Sequence, residues 1–398
     1  MVRISKRMSL VAESPTLATS TKVKAMKAKG ADIISLTVGE PDFETPKNIR
    51  DAAIQAIQEN KVNHYTPSAG ILPLRQAIID YHQETDGVQY ELNQVMVSDG
   101  AKNALYTLFQ VILNPEDEVI IPSPYWVSYT EQVKLAGGKN ILIDGVPENN
   151  FKISLEMLEK HRTNKTVAII LNSPNNPTGA VYTEEELREI GNWAVEHNIL
   201  IISDEIYYRL CYHQQEAVSI ASLSEEIKNQ SIIINGVSKS YAMTGWRIGY
   251  AMGNQEVIGK MIQLASHSTS NPASVSQYAA LAALTGNQNF VNEMREEFEK
   301  RLDYFFPLIE SIPGFQATKP QGAFYIFVNA KEAATMTGYS TVSDFALGLL
   351  EEGHVAVVGG DGFGFPDYVR ISYTLNKENL TEAIKRIKQF IQLKSNRN

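Results

Sequence analysis

The chain has 398 residues, 43% of them hydrophobic, which is more than one core usually organises and points to a large domain joined to a smaller one. A formal net charge of -9 excludes a broad polyanion-binding surface and so a nucleic-acid partner, although a small local basic site is permitted. One cysteine, Cys211, excludes an internal disulfide framework and a cysteine-rich metal cluster, so no metal site is expected.

The N-terminal stretch "MVRISKRMSLVAESP" is basic but holds no apolar run of secretory length, and no later stretch is long and apolar enough to span a bilayer. A cytoplasmic protein with no membrane partner is expected. From about Gln94 to Val237 short β-branched runs recur, "QVMVSD", "EVIIPS", "NILID", "TVAIILN", "ILIISDE" and "SIIINGV", separated by helical or loop segments. That alternation predicts a mainly parallel α/β sheet. Between two of the runs, Thr183 and Glu186 form a capping box ahead of Leu187, Ile190 and Ala194, which share one helical face. After about Phe290 the texture changes to a charged helix, "FVNEMREEFEKRLDYFF", short strands at "GAFYIFV", "HVAVVGG" and "YVRISY", and a terminal helix, "LTEAIKRIKQFIQL". This predicts a smaller second domain, and with no flexible linker between them the two should share an extensive interface.

In open α/β sheets the ligand crevice lies beyond the carboxyl ends of the strands, so the residues closing each run are the candidates. After "QVMV", Gly100, Ala101 and Lys102 open a helix whose first N–H groups suit an anion. After "EVIIP" comes Trp126, either a buried aromatic or a stacking partner for a planar ring. "NSPNNPTGAV" follows "TVAIILN" and places Asn176 at a strand end, either in an ordinary tight loop or with its amide free to donate. Asp204 closes "ILIISDE" as a helix N-cap or as the partner of a protonated ring nitrogen, and Tyr207 stands three residues on, in the core or turned to the same side. After "SIIINGV" stands Lys239, flanked by Gly236, Ser238 and Ser240, small neighbours that give a bulky ligand access to an amine. Eight positions later Arg247, between Gly245 and Gly249, has a donor fork suited to phosphate. Arg370 in "YVRISY" is a surface arginine or a bidentate clamp for a carboxylate.

Singly each of these has an ordinary structural reading. Together a phosphate site, an aspartate for a ring nitrogen, an Asn/Tyr pair for a phenolic oxygen, a stacking tryptophan and an amine for an aldehyde match pyridoxal 5'-phosphate. "GVSKSYAMTGWRIG" resembles the lysine signature of class I aminotransferases, and "VGEPDF", "NSPNNPTG", "SDEIYY" and "VRISY" are similar to further blocks of that family in the expected order. The resemblance covers nearly the whole chain and is strongest to the bacterial aspartate aminotransferase branch of the fold type I pyridoxal-phosphate enzymes.

That resemblance implies an α/β fold in which a large domain with a mainly parallel seven-stranded sheet, flanked by helices, is joined to a smaller α+β domain. Residues 1–45 are then an N-terminal arm and part of the small domain, 46–289 the large cofactor-binding domain, and 290–398 the C-terminal small domain. It implies that Lys239 binds the cofactor covalently and moves a proton at the substrate, that Asp204 holds the ring nitrogen, and that Asn176 and Tyr207 bond the phenolic oxygen. Trp126 stacks on the ring, while Arg247, Gly100, Ala101 and Ser238 hold the phosphate, with Tyr65 of "NHYTPSAG" reaching it from a neighbouring subunit of a homodimer. Gly39 of "VGEPDF" and Arg370 bind the α-carboxylate. Lys102, helped by Ser14 and Thr16, takes the distal carboxylate.

Two departures stand out. Gly236 occupies a place where many relatives have a phosphate-binding serine or threonine, and Ser266 falls where the animal-type branch has an arginine for the distal carboxylate. The expected reaction is transfer of an amino group from L-aspartate to 2-oxoglutarate, with amino acids and 2-oxo acids as small-molecule partners. The alternatives are an aromatic or prephenate aminotransferase, with Trp126, Tyr65 and Tyr129 lining a pocket for rings, β-elimination or decarboxylation on the same cofactor, and a cofactor-binding regulatory domain.

Overall fold

A computed structural model describes residues 3–396. Its strands are, in chain order, β1 (Ile34–Ser35), β2 (Val95–Ser98), β3 (Glu118–Ser123), β4 (Lys139–Asp144), β5 (Thr166–Asn172), β6 (Leu200–Asp204), β7 (Ser231–Gly236), β8 (Gly249–Gly253), β9 (Gln316–Ala317), β10 (Tyr325–Asn329), β11 (Val355–Ala356), β12 (Val358–Gly359) and β13 (Tyr368–Ser372). Seven of them form one sheet in the order β2-β8-β7-β6-β5-β3-β4. Only the pairings made by β8 are antiparallel.

The β-branched runs became β2 to β7, with β2 and β4 at the two sheet edges, and alternate side chains of the inner strands bury on opposite faces. Ile169, Ile201 and Ile233 pack into one core with Leu187, Ile190 and Ala194 of the helix Glu184–Glu196, while Ile170, Ile202, Ile232 and Ile234 pack into another with Leu105 and Leu108 of the helix Ala101–Ile112. Each such side chain contributes of the order of 2 kcal/mol through removal from water. The capping box is formed as expected: Thr183 Oγ1 accepts from Glu186 N–H at 3.2 Å, and a Glu186 carboxylate oxygen accepts from Thr183 N–H at 2.8 Å.

Strand β8, "GYAMG", had no signal in the sequence, since it has no β-branched residue and a glycine at each end. Its place comes from pairing with β2 and β7.

The C-terminal strands form a four-stranded antiparallel sheet in the order β12-β13-β10-β9, packed with helices Asn289–Glu310, Val342–Glu351 and Lys377–Ser395 around Phe298, Phe324, Phe345 and Phe390. Near the N-terminus β1 pairs in parallel with β11, and Leu36 O accepts from Ser372 N–H at 2.8 Å. This lays the segment leading to Gly39 beside β13. Among the described residues no helix is long and apolar enough to cross a membrane.

Candidate active site

The carboxyl ends of β5, β6 and β7 bring Asn172, Asp204 and the loop after Gly236 to one edge, and a cavity of about 530 Å³ opens there against Gly39 and Arg370 of the smaller unit. Lys239 lines it and donates from Nζ to Gly39 O at 2.7 Å. Its pKa is lowered to about 8, chiefly by burial, with Glu40 and Asp204 pulling it up and Arg370 and Arg247 pulling it down. Gly39 is fixed by its own loop. Phe43 packs edge-on against Phe298, with ring centroids 5.5 Å apart, and Asp42 accepts from Arg301 at 2.8 Å. Thr45 Oγ1 donates to Ala242 O at 2.7 Å, which ties that loop to the lysine segment.

Asp204 is buried, and burial raises its pKa to about 6, opposed by the hydrogen bonds it accepts. Tyr129 Oη donates to Oδ2 at 2.7 Å and Ile206 N–H to Oδ1 at 3.2 Å. Asn172 Nδ2 donates to the Asp204 carbonyl at 2.9 Å while its Oδ1 accepts from Asn176 N–H at 2.9 Å, so one amide locks two neighbouring strand ends. The helix-cap reading of Asp204 does not hold: residues 206–209 form a turn, not a helix. Tyr207 nevertheless reaches the cavity, and its hydroxyl lies 3.0 Å from that of Tyr325.

At the opposite wall Gly100 caps the helix Ala101–Ile112 with φ +84°, a conformation that suits glycine, and a Cβ there would stand 2.2 Å from the Arg247 guanidinium. Ala101 and Lys102 follow, with N–H groups that have no acceptor inside their helix. Arg247 has φ +55°, unusual for a residue with a side chain, and its guanidinium donates to the carbonyls of Thr244 at 2.7 Å and Asp99 at 3.4 Å. Ser238 completes this wall. The glycine at 236 has a steric reason, because a Cβ would meet Gly249 Cα and Ile248 O at 2.9 Å, where β7 and β8 press together.

Arg370, on β13, is 2% exposed. It donates to Asn176 Oδ1 and Thr37 O, each at 3.0 Å, and among the described residues its Nε has no partner. Lys102 holds its ammonium 4.8 Å from the Trp126 ring centroid; the residue is exposed overall, yet desolvation of the ammonium and the nearby Arg247 lower its pKa. Ser14 and Thr16 line the same mouth, although Ser14 also caps its helix by accepting from Leu17 N–H at 3.4 Å. Among the described residues none of Lys102, Lys239, Arg247 and Arg370 forms an ion pair. Two expected residues are outside the cavity lining: Gly100, which backs Arg247 from behind Ala101, and Tyr65, which is 91% exposed. Ser266 ends the helix Gln255–Ser266, outside the cavity lining.

Tyr129 was read in the sequence only as a possible ring-pocket wall, and Asn172, Tyr325, Glu40 and Thr244 were not singled out. Asn172 was findable, since it closes "TVAIILN" as Asp204 closes its own strand. The contacts of Tyr129 and Tyr325 join positions 75 and 118 residues apart, which a linear pattern does not record.

Residues 31–387 match the family described as aminotransferase class I and II. The chain belongs to that family. This aminotransferase is 53% identical over 391 residues to the aspartate aminotransferase of Bacillus subtilis, covering 98% of this chain and 99% of the relative. It is 49% identical over 392 residues to the asparagine–oxo-acid transaminase of Streptococcus mutans, covering 98% and 100%. The solved aspartate aminotransferase from Thermus thermophilus with maleate shares the fold with a TM-score of 0.93 at 39% identity, covering 98% of this chain and all of that one. Its seven-stranded mixed sheet flanked by helices is the fold type I architecture.

Proposed function

We propose that this aminotransferase uses pyridoxal 5'-phosphate to transfer an amino group reversibly from L-aspartate to 2-oxoglutarate, giving oxaloacetate and L-glutamate. The observation that carries it is the placement of charge. Lys102, Lys239, Arg247 and Arg370 border one cavity against two carboxylates, Glu40 and Asp204, an excess of two positive charges in a chain of net charge -9. Unpaired cations at a cavity wall suit a phosphate and a substrate with two carboxylates. The relatives named for aspartate, and the one bearing the dicarboxylate maleate, agree with this reading.

The residues fit the cofactor. The cradle at Gly100 has no space for a Cβ beside Arg247, and Asp204 is a buried carboxylate whose hydrogen-bond donors among the described residues are neutral, so a protonated ring nitrogen would complete it. Gly100, Ala101, Ser238 and Arg247 would hold the phosphate, with Tyr65 supplied by the second subunit of a homodimer, and Trp126 would stack on the ring. Asn176 and Tyr207 would bond the phenolic oxygen. Bound there, the cofactor supplies an aldehyde that takes up an amino group and a ring that withdraws electrons from the substrate Cα. Asp204 keeps a proton on the ring nitrogen, and Tyr129 orients that carboxylate. Lys239, with a pKa lowered to about 8, is poised to act as a nucleophile and then to take and return the proton at Cα. Arg370 and Gly39 orient the α-carboxylate, while Lys102, Ser14 and Thr16 receive the distal one.

The division into 1–45, 46–289 and 290–398 is part of the same proposal; the separate sheets and the β1 to β11 pairing support it. The aromatic or prephenate alternative draws less support, because the Tyr129 hydroxyl is engaged by Asp204 and the excess of cations around the cavity suits a second carboxylate better than a plain ring.

The test is a visible spectrum of purified protein. L-aspartate should replace the cofactor band with one at shorter wavelength, and 2-oxoglutarate should restore it. Values of kcat/KM for aspartate, asparagine and phenylalanine should then rank aspartate first; a clear preference for phenylalanine overturns the assignment.

A further inference from the structure

Tyr325 has none of the roles assigned above, yet it touches three groups that do. Its hydroxyl is 3.0 Å from the Tyr207 hydroxyl. Its ring lies beneath the Arg370 guanidinium, with Cζ 4.4 Å from the centroid, and a Cβ on Gly39 would come within 2.9 Å of its Oη. Register explains the meeting: β10 pairs with β13 so that Tyr325 faces Ser372 and Phe327 faces Arg370.

Neighbouring Phe324 fills the same core with a plain ring, so packing alone does not require a buried hydroxyl at 325. The two ends of the side chain serve different partners. The Arg370 cation is stripped of water and held by neutral acceptors, and the face of an aromatic ring offers it negative potential. At the other end, a phenol has one proton to give and can accept. When the Tyr207 proton points to the cofactor's phenolic oxygen, the Tyr325 proton is free to support Tyr207, and chained hydrogen bonds strengthen one another.

Resting on the aminotransferase reading above, we infer that Tyr325 is a positioning residue linking the carboxylate clamp to the cofactor ring. Its ring steadies Arg370 and its hydroxyl backs the donor Tyr207. The link also joins the two sheets, because Tyr207 follows β6 of the larger and Tyr325 begins β10 of the smaller.

The test uses holoprotein of the wild type, Tyr325→Phe and Tyr325→Leu, with two readouts that need no turnover: the pH titration of the cofactor's visible band, and the dissociation constant for maleate read from that band. A weaker donor at an anionic oxygen makes the neighbouring proton harder to lose, so Tyr325→Phe should raise the pKa of the band by about half a unit or more. Its maleate affinity should stay within about twofold of wild type, because the ring is retained, while Tyr325→Leu should bind maleate about tenfold more weakly. An unmoved band in Tyr325→Phe, or maleate affinity lost equally in both variants, overturns the inference. Should Tyr325→Leu not fold, Tyr325→Phe alone decides, since a moved band with unchanged maleate affinity is the claim. A wild-type protein lacking any cofactor band would instead remove the reading beneath it.

Discussion

Lys239 and Asp204 share a cavity in which burial moves their pKa values toward each other, to about 8 and about 6. For the lysine the folded value lies below the unfolded one, so above pH 8 the unfolded chain binds a proton that the folded chain does not, and stability rises with pH up to about 10.4. Apoprotein carrying Lys239→Met lacks that rise. Its advantage over wild type should shrink between pH 8 and 10 in thermal melts, by at most about 3 kcal/mol. In turnover assays Lys239→Ala should lose about 10⁴-fold or more in kcat while keeping its fold by circular dichroism. Lys102→Ala should raise KM for aspartate about tenfold or more and leave neutral amino acids nearly unchanged, because only a distal carboxylate meets that ammonium. The residues carrying these predictions were legible in the sequence, each being a chemically distinctive side chain closing or following a strand. Tyr129 and Tyr325 were not, since their types suit any core and only long-range packing turns their hydroxyls to Asp204 and Tyr207.

At the scale of elements, the N-terminus of helix Ala101–Ile112 is the most exacting part of the site. Gly100→Ala combines a left-handed backbone with a Cβ 2.2 Å from Arg247, so it should cost about 1 to 2 kcal/mol of stability and weaken cofactor retention, measured by reconstituting apoprotein at graded concentrations. Six strands of the large sheet were legible as short apolar runs, five of them largely buried and the edge strand β4 largely open. Strand β8 was hidden by its own function in packing: Gly249 lies against Gly236 and the start of that helix, and a residue chosen for absence of a side chain sends no propensity signal. The same contact accounts for Gly236, where the family resemblance led one to look for a phosphate-binding hydroxyl.

At the scale of the molecule, Tyr65 stands outside its own chain's cavity with 91% of its surface open, beside a homodimer proposal that gives it a site to serve. Sedimentation should show twice the chain mass. Mixed dimers of Lys239→Ala and Tyr65→Ala chains should regain tight cofactor binding in one site of two by spectral titration; no gain would place Tyr65 outside the partner's site. The sequence by itself determined the alternation of strands and helices, the strand-end chemistry and the family, because burial periodicity and reactive side chains are local properties. Tertiary structure alone decided which cations converge without counter-ions, why Gly236 has no side chain, and how two hydroxyls find Asp204 and Tyr207. Those are distances between positions far apart in the chain, and a distance exists only once the sheets have closed.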